Sequence, residues 1–379
     1  MFLIRQSKPE DVSTLLKLAR TVYFINLPPN EQLISAKIEQ SAACFRKVAG
    51  LADPAKTRRR HNHAPVGGYD FDTDLFMFSI VDRESGQVIG TSQLVSHMGG
   101  PGNPNWGMRV NEKKFHSDSL RFGTTHTVAQ LFGDESGPTE VGGLILDPGF
   151  RGHRRRPGRF ISFVRFHFIG LERKTFADRV LAEMMGPITS EGDNIFWDAV
   201  GRKFIPVKYA EADRFCQHNR QFISELLPKD ELYLTLLPLE VMNSVGVVPR
   251  ETLPARRLLE SLWFRYRNVI DCFDGGPHLD APTDEIPLVA STKRLNSRPA
   301  DDAACTSAAI VSVLSREGDY RAIETWVQLA PDSVGLLPTD FEALGTDPGA
   351  TLGVTPLGIF GSSRAELSRP NRRQQEVQA

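Results

Sequence analysis

The residues best placed to do chemistry fall in one stretch, residues 141–171. It reads as a strand (VGGLILDP), a tight basic turn (GFRGHRRRPGR) and an amphipathic helix (FISFVRFHFIGL). Where a strand hands over to a helix, backbone N–H groups lack intrahelical partners and add to the positive end of the helix dipole. Arginines beside them supply charge-assisted donors. Together these make a site for a pyrophosphate, and a phosphorylated carrier such as coenzyme A is the leading candidate ligand. The plainer reading is a surface loop with solvated arginines, and the segment by itself does not separate the two.

Other chemistry-bearing patterns are thin. No GxGxxG follows a strand and no GxxxxGK[ST] occurs, which disfavours a dinucleotide site and a nucleotide triphosphatase. A GxSxG elbow and an HExxH are both absent, so hydrolase and zinc-protease readings have no support. His61-Asn62-His63 has no partner at metal-ligand spacing and reads as a solvated loop, so no metal is expected. The basic run at 56–60 lacks interleaved aromatics and is poor evidence for RNA. His167, on the apolar side of the helix, reads as a satisfied core histidine.

The elements that must position the turn follow from periodicity. Residues 2–6 alternate as a strand, and Ser7-Lys8-Pro9-Glu10 fits a capping box before a helix carrying Val12, Leu15, Leu16 and Ala19. A second helix starts at Asn30, with Ile34, Ile38, Ala42 and Phe45 on one face. Residues 50–70, rich in Pro, Gly, Arg and His, read as a mobile insertion. Residues 75–81 and 88–95 read as a hairpin around Asp82-Arg83-Glu84-Ser85-Gly86-Gln87. Further strands are expected near 120–131, 140–146 and 179–184. A short helix at 195–204 is expected to run into a strand at 204–207, and helix-to-strand recurs at 254–273. After about residue 287, short apolar runs broken by Asp, Gly and Pro suggest a small, mostly β appendage. Residues 362–379 are polar and aperiodic and read as disordered.

Composition sets the outer bounds. The chain has 379 residues, 40% hydrophobic and 24% charged, with a formal net charge of −1. Nothing global favours nucleic acid or a membrane surface. No apolar run approaches ~18 residues and the first residues lack a signal-peptide core, so no membrane partner is expected. Cys44, Cys216, Cys272 and Cys305 are scattered and read as reduced buried thiols, which fits a cytoplasmic enzyme.

Several longer words occur in order: Leu27-Pro28-Pro29-Asn30-Glu31; Leu146-Asp147-Pro148 with Phe150-Arg151; Ala182-Glu183-Met184 with Gly186; Phe196-Trp197 with Gly201, Arg202 and Phe204; Phe222-Ile223 with Glu225-Leu226 and Pro228-Lys229; and Phe264-Arg265-Tyr266 with Ile270-Asp271 and Phe273-Asp274-Gly275-Gly276-Pro277. On these, from about residue 2 to 290, the chain resembles the GNAT acyltransferases and, within them, the arginine N-succinyltransferase family. The resemblance implies succinyl transfer from succinyl-CoA to the α-amine of L-arginine in arginine catabolism. No tightly bound cofactor is implied, and family members are expected to assemble into homo- or hetero-oligomers. The fold implied is α+β: a GNAT-like mixed central sheet flanked by helices over residues 1–285, and a β-rich C-terminal subdomain over 286–361.

The family's pattern also suggests roles. Catalysis needs a free amine at the thioester carbonyl, a donor for the carbonyl oxygen and a proton route to the leaving thiolate. Glu140, at the start of the central strand, is the general-base candidate and Tyr266 the candidate acid. Backbone groups of Leu144, Ile145 and Leu146 would hold the thioester or pantetheine. Arg151, Arg154, Arg156, Gly158 and Arg159 would meet the phosphates. A guanidinium needs carboxylates, and Asp134, Glu135, Glu183, Asp271 and Asp274 are the pool. The chain departs from the family at three places: the phosphate turn is about two residues longer and keeps one of its paired glycines, Glu135 stands where the family has histidine, and Met185 stands where it has arginine. An acyl-CoA N-acyltransferase acting on ornithine or another amine, or a catalytically weak partner subunit, are the alternatives.

Overall fold

The structure is a computed structural model describing residues 1–20, 27–51, 73–189, 191–216 and 220–361. The insertion expected at 50–70 lies almost wholly outside these residues, and the tail at 362–379 lies wholly outside them.

The strands of the core are β1 (Phe2–Gln6), β2 (Leu75–Asp82), β3 (Val88–Val95), β4 (Asn105–Ser117), β5 (Phe122–Asp134), β6 (Thr139–Leu146), β7 (Arg179–Glu183), β8 (Leu232–Tyr233), β9 (Arg265–Ile270) and β10 (Pro277–Pro282). They run in the order β1-β2-β3-β6-β7-β10-β9-β4-β5-β8. Within this core every pairing is antiparallel except β6 with β7. The expected mixed sheet flanked by helices is therefore present.

Helix α1 (Val12–Ala19) and the start of α2 (Glu31–Val48) pack on one face and α3 (Pro157–Leu171) on the other, while Cys44 and Phe45 late in α2 reach the α3-side core, where Phe45 meets Phe168 edge-on. Strand β2 shows why. Leu75 and Met77 join Leu15, Ile34 and Ile38, while Phe76, Phe78 and Ile80 join Phe160, Phe163 and Phe168. A strand covered on both faces reads as a continuous apolar run, as LFMFSIV does. Helix α2 begins where expected, with the Asn30 side chain accepting from Leu33 N at 3.1 Å. Ser41, rather than the half-buried Ala42, completes its inner stripe and accepts from Met77 N at 2.8 Å.

Three local expectations are corrected. Asp11, not Ser7 with Glu10, supplies the first cap, accepting from Lys8 N at 2.9 Å and from Arg5 at 2.7 Å. The Ser7 hydroxyl instead meets Ser79 at 2.8 Å. Residues 204–207 form no strand. Strand β4, unforeseen because NEKK breaks alternation, pairs along its whole length with β5; β9 joins β4 at Met108 and Arg109 and β8 joins β5 at Val128 and Ala129, and the β4–β5 hairpin runs on past both.

The C-terminal strands are β11 (Lys293–Pro299), β12 (Ser307–Leu314), β13 (Tyr320–Leu329), β14 (Ser333–Leu336) and β15 (Thr351–Pro356). They run β12-β15-β11-β14-β13 and close through β12–β13 into a five-stranded barrel. Strand β13 also pairs with β1, so the barrel extends the core sheet and is no loose appendage. Helix α3 is caught between sheet and barrel, and residues 159–169 are buried all round. His167 is a core residue, bonded to Thr355 and Ser312 at 2.6 Å each. Burial pushes its imidazole down to about 3, with the Arg294 charge adding.

Candidate active site

Strands β6 and β7 pair only at Thr139↔Val180 and Glu140↔Leu181. Beyond those residues no pairing joins them, and the sheet forks. A β-bulge accompanies the fork. Gln93 of β3 stands opposite Gly142 and Thr91 opposite Ile145, so β6 carries one extra residue. Gly143 takes φ +56°, where a Cβ would lie 2.8 Å from the Gln93 side chain. Bulges bend a strand and raise its twist, which steers β6 away from β7. Leu144 and Leu146 pack toward α3 and Ile145 toward α1 and α2. Their backbone borders the fork.

The basic turn follows. Within it the amide of Arg151 bonds Pro148 O, that of His153 bonds Phe150 O and that of Arg156 bonds His153 O. The Arg155 amide meets His153 Nδ1 at 3.2 Å and the Arg159 amide meets Arg156 O at 2.9 Å. Gly152, Arg154 and Gly158 stand outside this set, so the nest of amides is narrower than a glycine-rich turn provides. Arg156 caps α3 at φ +47°, a left-handed conformation disfavoured for a residue with a side chain. Arg151 and Arg156 are exposed, and Arg154 Nη1 is buried with no hydrogen-bond partner among the described residues. Arg159 corrects its expected role. Its guanidinium turns away from the turn into the barrel, bonded to Glu324 and to the Phe360 carbonyl.

Alternation along the strands sorts the remaining candidates onto opposite faces. Val141, Ala182 and Leu279 point toward α3, so Glu140, Glu183 and His278 point to the other side. Glu140 is 1% exposed. Its charge acts on two buried cations, Lys37 and Arg165. Burial pushes Lys37 down to about 8 and Arg165 down to about 9, and Glu140 opposes both shifts. Glu140 is thus a counter-charge at the crotch of the fork. Tyr266 pairs with Leu279 and packs against the α3-side core, across the sheet from Glu140. The two candidates for proton transfer are not brought together.

Across the fork lies a polar network. Glu183 Oε1 accepts from Asn105 Nδ2 at 2.5 Å, and Asn105 Oδ1 accepts from Arg220 Nη1 at 3.1 Å. Asp271 Oδ1 accepts from the amides of Phe273 and Asp274 at 2.7 and 2.9 Å. Asp274 Oδ1 accepts from Gly276 N at 2.7 Å, so this buried aspartate shapes the FDGGP turn. Burial, then the neighbouring Asp271 charge, drives the Asp274 carboxyl well up. The Asp271 carboxyl is raised too, by burial, with His278 opposing. Asp213 is pushed up to about 7 by burial and by Asp271, with Arg220 opposing. A shallow cavity opens beside the network, lined by Asn105, Asp134, Arg179, Arg267, His278 and Asp280. Asp134 is bound there to Arg179 and Ser136, whose bonds outweigh burial and lower its carboxyl. Glu135 stands apart, exposed, accepting from Gly102 N at 3.2 Å.

The structure therefore gathers Glu140, Glu183 and Asp271 on one side of the sheet and separates Tyr266, Arg159 and Glu135 from them. Sequence reasoning missed Asn105, Asp213, Arg220, His278 and Lys37. His278 directly follows the FDGGP word, and Lys37 lies on the buried stripe of α2 beside Ile34 and Ile38, so both carried a local signal.

Residues 2–288 match the family described as arginine N-succinyltransferase beta subunit. The arginine N-succinyltransferase of Yersinia pestis (strain Pestoides F) is 30% identical over 366 residues, covering 94% of this chain and 98% of the relative. That of Shigella dysenteriae serotype 1 (strain Sd197) is 32% identical over 296 residues, covering 77% of this chain and 79% of the relative. Among solved structures, the arginine/ornithine succinyltransferase subunit AI from Pseudomonas aeruginosa shares the fold, with a TM-score of 0.74 at 24% identity over 94% of this chain and 99% of that one. The chain belongs to the arginine N-succinyltransferase beta subunit family.

Proposed function

We propose that this chain is an acyl-CoA-dependent N-acyltransferase that moves succinyl from succinyl-CoA to the α-amine of L-arginine. The observation that carries the reading is the fork between β6 and β7, opening toward the basic turn at the start of α3. A pantetheine arm laid in the fork would find the β7-facing edge of residues 142–146, whose strand pairing is to β3 on the other edge, and the phosphates would reach Arg151, Arg154 and the Gly158 amide. Arg154 Nη1, buried without a partner among the described residues, is a donor that a phosphate oxygen would satisfy. The polar face beyond the fork offers Glu183 and its neighbours to a cationic acceptor. The same reading has the enzyme act in the cytoplasm, in arginine catabolism, as an oligomer of itself or with a related chain.

The test is thiol release with L-arginine, comparing succinyl-CoA with acetyl-CoA and repeating with Glu140→Gln. Succinyl-CoA-dependent turnover that falls in Glu140→Gln is the expected result. Turnover with another donor, or with ornithine or another amine, would move the substrate and keep the class. The shortened set of turn amides favours a second reading, a weakly catalytic partner subunit. Absence of coenzyme A binding and of turnover with every pair would put that reading first.

A further inference from the structure

Glu183 of β7 and His278 of β10 are cross-strand partners, both facing the polar side of the sheet. Glu183 Oε1 and His278 Nε2 stand 3.8 Å apart, too far for a hydrogen bond. His278 is 7% exposed, yet its Nε2 is buried and has no hydrogen-bond partner among the described residues. Asp271 brings a carboxylate oxygen to the same place, and the three atoms lie within 4.8 Å of one another. Their surroundings are organised. Asn105 and Arg220 orient Glu183, and two backbone amides hold Asp271 Oδ1. A gap lined by two carboxylates and a ring nitrogen suits a group carrying positive charge and several N–H donors.

Its position adds the second half of the argument. Glu140 of β6 is level with Leu181 of β7, so Glu183, two residues on, is level with the bulged start of the fork at Gly142 and Gly143. A thioester carried along β6 would end beside this gap. We propose that the gap receives the reacting ammonium of the acceptor, with Glu183 Oε1 holding it and His278 Nε2 taking its proton. The inference rests on the N-acyltransferase reading above.

The step balances without another reagent. One N–H proton passes to His278 Nε2, and the freed lone pair forms the C–N bond at the thioester carbonyl carbon. The carbonyl π pair moves to oxygen and returns as the C–S bond breaks. The sulfur leaves with that bond pair, and the second proton lost by nitrogen makes it a thiol. His278 then gives up its proton through the adjoining cavity. The charged groups facing it are Glu183 and Arg179 from β7, Asp271 from the turn after β9, Arg267 from β9, Asp280 from β10 and Asp134 from β5.

The experiment compares the full chain with His278→Gln, His278→Asn and Glu140→Gln. Thiol release is followed between about pH 6 and about pH 9, and L-arginine binding to the coenzyme A complex is followed by calorimetry. Unfolding midpoints establish that each variant folds. The expected result is a fall in kcat of ~10²–10⁴-fold in both His278 variants, with loss of the acidic limb of the pH profile. Glu140→Gln should keep that limb. Four results would overturn the proposal: unchanged turnover in the His278 variants, an acidic limb lost only in Glu140→Gln, activity removed by a chelator and restored by Mn²⁺, or amine affinity equal in wild type and His278→Gln alongside an unchanged pH profile. If wild type turns over with no donor, the activity reading fails by itself. Calorimetry then decides the gap: amine binding lost in His278→Gln sustains the ammonium site, and equal or absent binding removes it.

Discussion

Arg159, in the first turn of α3, is bonded to Glu324 of β13 across the junction between core and barrel. Their side chains are 8% and 17% exposed, so neither end is well hydrated. Removing one partner of such a pair strands the other. Arg159→Ala is expected to cost about 3–5 kcal/mol, read from urea unfolding, whereas a paired Arg159→Met, Glu324→Gln change should cost much less. Burial raises the Glu324 carboxyl, and Arg159 and Arg156 oppose the rise. A raised folded value means that stability is lost as pH rises through it. Without Arg159, which opposes the rise, that loss should steepen on the alkaline side of the usual carboxylate range. A flat profile in Arg159→Ala would refute the assignment.

The same geometry separates two arginines that look alike in sequence. Arg154→Ala should weaken coenzyme A binding by about five- to tenfold, as loss of one charge-assisted contact does, and the effect should shrink in high salt. The paired Arg159→Met, Glu324→Gln variant should leave affinity per folded molecule unchanged. Calorimetric titration with coenzyme A at two salt concentrations reads both.

Asp213 supplies a pH test of the polar network. Its carboxyl is pushed up to about 7 by burial and Asp271, and its Oδ1 lacks a hydrogen-bond partner among the described residues. The folded protein holds that proton above the pH where the unfolded chain releases it. Stability should therefore fall as pH rises from about 4 through about 7, and Asp213→Asn should remove that part of the slope. Unfolding midpoints across this window decide; an unaltered slope would move the titrating group elsewhere.

Gly276 and Gly186 test why two of the motif words contain glycine. A Cβ on Gly276 would lie 2.0 Å from the Met184 carbonyl oxygen, and one on Gly186 would lie 2.2 Å from the Asp274 carbonyl oxygen. The two turns touch backbone to backbone, which no side chain can relieve. Either alanine variant should cost about 1–3 kcal/mol or more and shift the Glu183–Asp271–His278 group. Both should lose activity more than stability alone explains. Wild-type activity in a destabilised Gly276→Ala would show that this contact does not position the site.

Much of this protein was legible locally. Asn30 as a helix cap, the hairpin of β2 and β3, β6 and its basic turn, and the glycine-bearing words all depend on short-range periodicity and turn chemistry. Those signals lie within a few residues of the atoms they govern. Local patterns were enough for a strand, a basic turn and a helix in that order, and for the words that tie the chain to its family. Which side chains share a face depends on how distant strands pair. Glu183 and His278 meet because β7 and β10 pair in one register, and a slip of one residue would turn either side chain to the opposite side. Tyr266 left the site by the same parity, and Arg159 left it because a carboxylate on β13 lay within reach. Strand pairing and buried charge partners join residues far apart in the chain, and no local pattern encodes which distant partner arrives.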